Sequence, residues 1–385
     1  MADPLNTVLT ERLGCRYPVI QTAMGWVAEP SLVIASSNAG AFGFLGAAVM
    51  TPDECAAKIK AVREGTDRPF GVNFHSFQPG AEKIVELILA NAEQVRAVSF
   101  GRGPNAKMIG KFRDAGILCV PTVGAVKHAQ KMVELGVDMV TVQGGEGGGH
   151  TGSVATTVLL PQVLDTVDVP VIAAGGFADG RGLAAALAYG AVGIAMGTRF
   201  LLTQESPVPE SAKRAYLDAG TGDIVVTRKL DGMPQRMIRT PLIDRIEKSS
   251  KVGMWLRAFE AGRQMKAQTG ASWPQMIRSA RQMTAHGDMP LAQAMLSAAA
   301  PMLIQKAVVD GDTSKGALAT GTVSGRIEGI LTCEALVSGI VSEARERIAA
   351  LTSDDRHAEL VSASKEQPEH SMATHRSMAP EPSSG

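Results

Sequence analysis

"VPVIAAGGFADGRGLAAALAYGAVGIAMGTRF", residues 169–200, holds two unbroken apolar runs, VPVIAAGG and AVGIAMGT, with an alanine-rich helical stretch between them. A strand that is apolar at every position is buried on both faces, as in a parallel sheet covered by helices on either side. Parallel neighbours need a crossover of a dozen or more residues, and the helix supplies it. Working back toward the N-terminus, six more runs of the same kind appear: YPVIQTAMG at 17–25, AFGFLGAA at 41–48, PFGVNFH at 69–75, VRAVSFG at 95–101, ILCVPTVG at 117–124 and DMVTVQGG at 138–145. Helical segments separate them. TPDECAAKIKAVREG offers Thr51 as N-cap and Pro52 at the first helical position, and PGAEKIVELILANAE and AVKHAQKMVELG follow the same plan. Eight strand–helix units match an α/β fold of the (β/α)8 TIM-barrel type in number and size.

The rival is an open doubly wound sheet. Gly147, Gly149 and Gly152 spell GxGxxG between a strand and the helical VATTVLLPQVLDTV, the outline of a dinucleotide-binding turn. That fingerprint calls for an acidic residue closing the second strand, whereas VPVIAAGG ends in glycine. The barrel is therefore preferred.

The chain has 385 residues and is 45% hydrophobic, long enough for one large domain and a smaller unit. Its 38 Lys plus Arg balance 38 Asp plus Glu, so neither nucleic acid nor an anionic membrane is an expected partner. Cys15, Cys55, Cys119 and Cys333 form no CxxC pair; no metal site or disulfide framework is expected, and a reducing cytoplasm fits. MADPLNTVLTERLG lacks the apolar core of a signal peptide, and AGAFGFLGAAVM is too short to span a membrane, which also points to the cytoplasm.

A barrel builds its active site from the loops at the C-terminal ends of the strands. The seventh and eighth runs end in AAGGF and AMGTRF, putting Gly175, Gly176, Gly197 and Thr198 where this fold commonly holds phosphate. Glycine lets backbone N–H groups approach an anion, the threonine hydroxyl can donate, and a following helix N-terminus would add partial positive charge. A phosphorylated cofactor or substrate is expected.

IQTAMGWVA, GVNF at 71–74, VQGGEGGGHTG, VIAAGGFADGRGLAAALAYGAVGIAMGTRFL and VTRKLDGMPQR resemble the nitronate monooxygenase (2-nitropropane dioxygenase) and NAD(P)H-dependent flavin oxidoreductase family. Within it the chain is similar to a subgroup acting on coenzyme A esters in bacterial steroid C/D-ring breakdown, the indanone-carboxyl-CoA dehydrogenases. The resemblance implies FMN in the barrel, NAD(P) as a candidate transient electron partner, a small-molecule substrate and a homodimer. It also implies that Ala23, Met24 and Gly25 lie along the isoalloxazine ring, and that Asn73 and Gln143 hydrogen-bond it through amides, which both donate and accept. Gly148, Gly149, Ala174, Gly175, Gly176, Met196, Gly197 and Thr198 complete the implied cofactor site.

In VTVQGGEGGGHTG, residues 140–152, the glycines are expected to keep the loop thin beside flavin and substrate, with His150 as the proton-transfer group. A histidine near neutral pH can take the acidic C–H next to a thioester carbonyl or a nitro group, or return it. Glu146 is a candidate to orient the loop through backbone N–H groups. His75 reads as an ordinary loop residue with the substrate mouth as its alternative, and His128 as exposed; His286, His357, His370 and His375 fall outside the barrel. Met24 and Trp26 are candidate pocket walls.

After about residue 222 the pattern changes. WLRAFEAGRQMKAQTG, SWPQMIRSARQMTA, PLAQAMLSAAAPMLIQKAVVDG and CEALVSGIVSEARERIAALT read as amphipathic helices, so the expected organisation is a barrel over 1–222, a helical cap over 223–352 and a disordered tail over 353–385. ALATGTVSGRIEGILT, residues 317–332, is expected to return toward the flavin, and Arg236, Arg239 and Lys251 are candidates to meet CoA phosphates. Three functions compete: an FMN oxidoreductase on the α,β bond of an acyl-CoA, which is preferred; a nitronate monooxygenase using oxygen; and an FMN-free phosphate-binding barrel such as a sugar-phosphate isomerase.

Overall fold

The computed structural model describes residues 3–100, 105–249, 263 and 291–352. Its strands are β1 (Val19–Gln21), β2 (Phe42–Gly46), β3 (Phe70–Phe74), β4 (Val95–Phe100), β5 (Leu118–Cys119), β6 (Thr122–Val123), β7 (Val140–Gln143), β8 (Gly149–His150), β9 (Val171–Ala174), β10 (Ile194–Met196), β11 (Ile224–Thr227) and β12 (Gln235–Ile238). Nine of them form one parallel sheet in the order β5-β4-β3-β2-β1-β10-β9-β7-β6.

The two ends of that sheet are halves of a single run, ILCVPTVG, so the sheet closes on itself as an eight-stranded barrel. Pro121 has no N–H to give to a ladder and divides the strand. Its carbonyl still accepts from Thr141 N at 2.8 Å, while Val120 N donates to Val98 O at 2.8 Å, so the divided strand bonds neighbours on both sides.

Side chains fill the barrel. Ile20, Phe42, Phe44, Val120, Ile172 and Ala195 form one buried cluster, joined by Leu9 and Leu13 of the helix Val8–Leu13. That helix plugs the N-terminal end of the strands: Arg12 donates to Asp138 O at 3.0 Å and Arg96 to Arg12 O at 2.8 Å. Gly71 is a matter of space, since a Cβ there would lie 2.3 Å from the Phe44 ring. A larger cluster, including Val72, Phe74, Val98, Val140, Val142 and Ile194, joins the outer faces of the strands to the helices. The second helix of the pattern starts as expected, with Thr51 accepting from Glu54 N and Pro52 opening Pro52–Gly65.

After the eighth strand the chain makes an antiparallel hairpin, β11 with β12, before its next long helix. The sequence had suggested only helices in this region; IVVT and QRMI are short strands with no two-residue turn to mark them. β12 also pairs with β8, Gln235 opposite His150, tying the hairpin to the barrel rim. The helix Leu291–Val308 follows, with Pro301 inside it. The helix Cys333–Thr352 packs against the barrel helices Gly180–Ala188 and Pro30–Asn38, close enough that a Cβ on Gly180 would lie 2.4 Å from Ala344 N. Apart from residue 263, WLRAFEAGRQMKAQTG lies outside the described residues, as do SWPQMIRSARQMTA, Lys251, the 353–385 tail and His286, His357, His370 and His375. Among the described residues no helix is long and apolar enough to cross a membrane.

Candidate active site

A cavity of about 450 Å³ opens at the C-terminal ends of the barrel strands. Its walls include His150 and every residue that the resemblance assigns to the cofactor site. Ala23, Met24 and Gly25 come from the turn after β1, Asn73 from β3, and Gln143, Gly148, Gly149 and His150 from β7 and the loop after it. Ala174, Gly175 and Gly176 come from the end of β9 and the turn after it, and Met196, Gly197 and Thr198 from the end of β10 and the turn into the next helix. Trp26 also lines the cavity, and at φ 60° it is the one non-glycine residue with positive φ among those described. Such a backbone costs an L-residue roughly 1–2 kcal/mol.

The loop after β7 is glycine-rich chiefly because it packs on its own chain. A Cβ on Gly144 would lie 1.9 Å from Thr156 Oγ1, on Gly147 2.5 Å from the Gln143 amide, and on Gly148 2.6 Å from Gly321 N. Gly149 alone of these meets nothing, but it holds φ +65°. Thinness beside a ligand was the expectation; self-packing explains three of these glycines before any ligand is considered.

Polar groups hold the loop in place. Glu146 caps the helix Thr156–Leu164, its carboxylate accepting from Thr156 N at 3.0 Å and from the Thr156 hydroxyl at 2.7 Å. Gln143 Nε2 donates to His150 O at 2.8 Å. Arg236 Nε donates to Gly145 O at 3.1 Å, which directs this guanidinium beneath the loop instead of outward to a phosphate. Arg239 is likewise engaged, with Asp244 at 3.2 Å. The 317–332 segment does reach the site: Gly321 N donates to Thr198 Oγ1 at 3.0 Å and Thr322 N to Glu146 O at 2.9 Å.

At the phosphate-like end, Gly175 and Gly176 both have positive φ, +95° and +83°. The helices beyond offer less than expected. Thr198–Leu201 is a single turn, and the N-terminus of Gly180–Ala188 already carries two carboxylates, Glu343 on Gly180 N at 2.8 Å and Asp179 on Gly182 N at 3.2 Å. An anion there would depend on loop N–H groups and the Thr198 hydroxyl more than on helix dipoles.

His150 is half exposed, and its Nε2 lies 2.6 Å from Oδ2 of the half-buried Asp231 in the β11–β12 turn. Gln235 of β12 donates to the same oxygen at 2.6 Å. Burial pushes the Asp231 carboxyl up, but hydrogen bonds from His150, the Met233 N–H and Gln235 outweigh it and hold the group below its usual range. Asp231 and Gln235 were not foreseen, although both sit in the VTRKLDGMPQR stretch. His75 lines the cavity, stacked on Phe77 at 5.1 Å, so the mouth was the better of its two sequence-based placements. His128 is exposed on its helix. Ala300, Pro301, Ile304 and Val308 of the helix Leu291–Val308 add an apolar wall. Among the described residues no cluster of side chains could hold a metal ion.

A family model described as nitronate monooxygenase matches residues 6–87 and 76–343. A protein of Rhodococcus jostii (strain RHA1), the (3aS,4S,5R,7aS)-5-hydroxy-7a-methyl-1-oxo-octahydro-1H-indene-4-carboxyl-CoA dehydrogenase, is 48% identical over 347 residues, 90% of this chain and 98% of its own. Among solved structures, FabK from Thermotoga maritima matches with a TM-score of 0.72 at 32% identity, covering 90% of this chain and 98% of that one. The nitroalkane oxidase from Streptomyces ansochromogenes matches with a TM-score of 0.70 at 28% identity, covering 89% and 99%.

Proposed function

The chain belongs to the nitronate monooxygenase family and is an oxidoreductase, and from that premise we propose that it is an FMN-dependent enzyme acting on the α,β carbon–carbon bond of an acyl-CoA, with His150 as general base or acid. The observation that carries this is the His150 imidazole on the cavity wall, backed by a carboxylate at 2.6 Å. A C–H next to a thioester carbonyl is acidic enough for such a base, because the charge left on carbon spreads into the carbonyl.

The donor set fits a flavin mononucleotide. Asn73 and Gln143 present amides, which match a ring edge of alternating nitrogens and carbonyls, and a 450 Å³ cavity is within the usual range for ligand sites. Gly175, Gly176, Gly197 and Thr198 would hold the phosphate, and the turn at Ala23, Met24 and Gly25 would lie along the ring. When bound, FMN supplies a hydride acceptor or donor, with NAD(P) as its transient electron partner. The residues of the chain supply the rest: His150 moves the proton on Cα, while Ala300, Pro301, Ile304 and Val308 exclude water and receive an apolar acyl group. An indene-ring carboxyl-CoA, the substrate in the name of the Rhodococcus relative, is the acyl class we propose.

The description of the matching family model favours a second reading, oxidation of alkyl nitronates with oxygen, in which His150 serves an acidic C–H beside a nitro group. Anaerobic mixing with an acyl-CoA, followed at the flavin bands, separates the two: rapid bleaching supports the first, while bleaching by nitronates alone rejects it. His150→Ala is expected to keep the flavin and slow the substrate half-reaction by ~10²-fold or more. An unchanged rate would remove His150 from the chemistry.

A further inference from the structure

Asp231 and Gln235 stand on the β11–β12 hairpin, so neither belongs to a barrel strand. Asp231 Oδ2 lies 2.6 Å from His150 Nε2 and 2.6 Å from Gln235 Nε2, and Oδ1 accepts Met233 N at 3.0 Å. An ionised carboxylate only accepts. The hydrogen between His150 and Asp231 therefore sits on Nε2, and a neutral ring protonated there carries its lone pair on Nδ1. Gln235 Nε2 lies 3.2 Å from His150 Nε2, but both nitrogens are donors here and they share the carboxylate.

Resting on the reading of His150 as the proton-transfer group, we propose that Asp231, with Gln235, is a positioning residue that fixes the Nε2–H tautomer, making Nδ1 the atom that takes or returns the substrate proton. In the forward step the Cα–H bond breaks, an Nδ1–H bond forms, and the electron pair stays on the substrate, delocalised into the thioester carbonyl. Asp231 then faces an imidazolium and balances its charge. Other charged groups nearby are engaged elsewhere: Glu146 with Thr156, Arg236 with Gly145 O, and His75, on the same cavity, stacked on Phe77.

The test is ¹⁵N NMR of the flavin-loaded protein labelled at histidine, with the His150 signals identified by their loss in His150→Gln. A protonated Nε2 and a bare Nδ1 are expected; a protonated Nδ1 would overturn the proposal. In Asp231→Asn, whose amide is isosteric, the tautomer is expected to mix or reverse. The substrate half-reaction should then slow roughly 10²-fold or more with KM little changed. A wild-type tautomer and rate in Asp231→Asn, at an unchanged melting temperature, would also overturn it. A full rate in His150→Gln defeats the proposed function itself and the role of Nδ1 with it, whereas a wrong tautomer beside a slow His150→Gln defeats the positioning role alone.

Discussion

Gly148 shows how much one missing methyl can decide. A Cβ there would press on Gly321 N at 2.6 Å, and that is backbone, which cannot swing aside as a side chain would. Gly148→Ala should push the 317–332 segment off the His150 loop, breaking the reach of Gly321 N to Thr198 and of Thr322 N to Glu146. The expected result is a folded barrel, destabilised by about 1–3 kcal/mol in thermal unfolding, with a slowed substrate half-reaction. Wild-type activity and melting would show that the two segments separate at little cost. Residue by residue, the lining of the candidate site was legible where a side chain's chemistry is unusual for its surroundings, as with His150 in a glycine run or Asn73 and Gln143 closing apolar strands. Asp231 was not readable, since an aspartate before a glycine is the ordinary composition of a turn. Its significance comes from a bond to a residue 81 positions away.

At the scale of elements, the barrel strands could be read because burial on both faces leaves a continuous apolar run, a pattern local in sequence. Their interior packing is less local. Gly71 is buried in β3 for the sake of Phe44 on β2, whose ring meets Phe42 edge-on at 5.1 Å. Gly71→Ala should cost about 1–3 kcal/mol by overpacking the barrel interior, seen as a lower melting temperature, while the strands themselves persist in far-UV circular dichroism. A neutral effect would mean that the Phe44 ring has room to move. The hairpin was missed for a physical reason: β11 and β12 are four-residue strands, and their pairing, with each other and with β8, is fixed by tertiary contact more than by propensity. It is also the element that carries the carboxylate to His150.

Over the whole molecule the four cysteines are spread through separate layers, and all are free. Burial pushes Cys15, Cys119 and Cys333 up to about 12 and Cys55 to about 11. Cys55, Cys119 and Cys333 are also shut off from solvent while Cys15 is half-buried, so alkylating reagents at pH 8 should label the first three no faster than the chain unfolds. Labelling faster than unfolding, measured against circular dichroism in the same denaturant, would show local opening around a cysteine. The helix Cys333–Thr352 packs on the barrel helices Gly180–Ala188 and Pro30–Asn38, and its Glu343 caps the first of these, 163 positions earlier in the chain.

By itself the sequence determined the number of barrel strands, their parallel order, and which strand ends carry glycine, amide and imidazole, because each is set by local periodicity or by the chemistry of single residues. Only the tertiary structure decided that one strand divided at Pro121 closes the barrel, that a hairpin from beyond the eighth strand pairs with the His150 strand, and that Asp231 meets the imidazole. Those features depend on chain segments far apart in sequence, whose meeting is a property of the packed molecule and leaves no periodic trace in either segment.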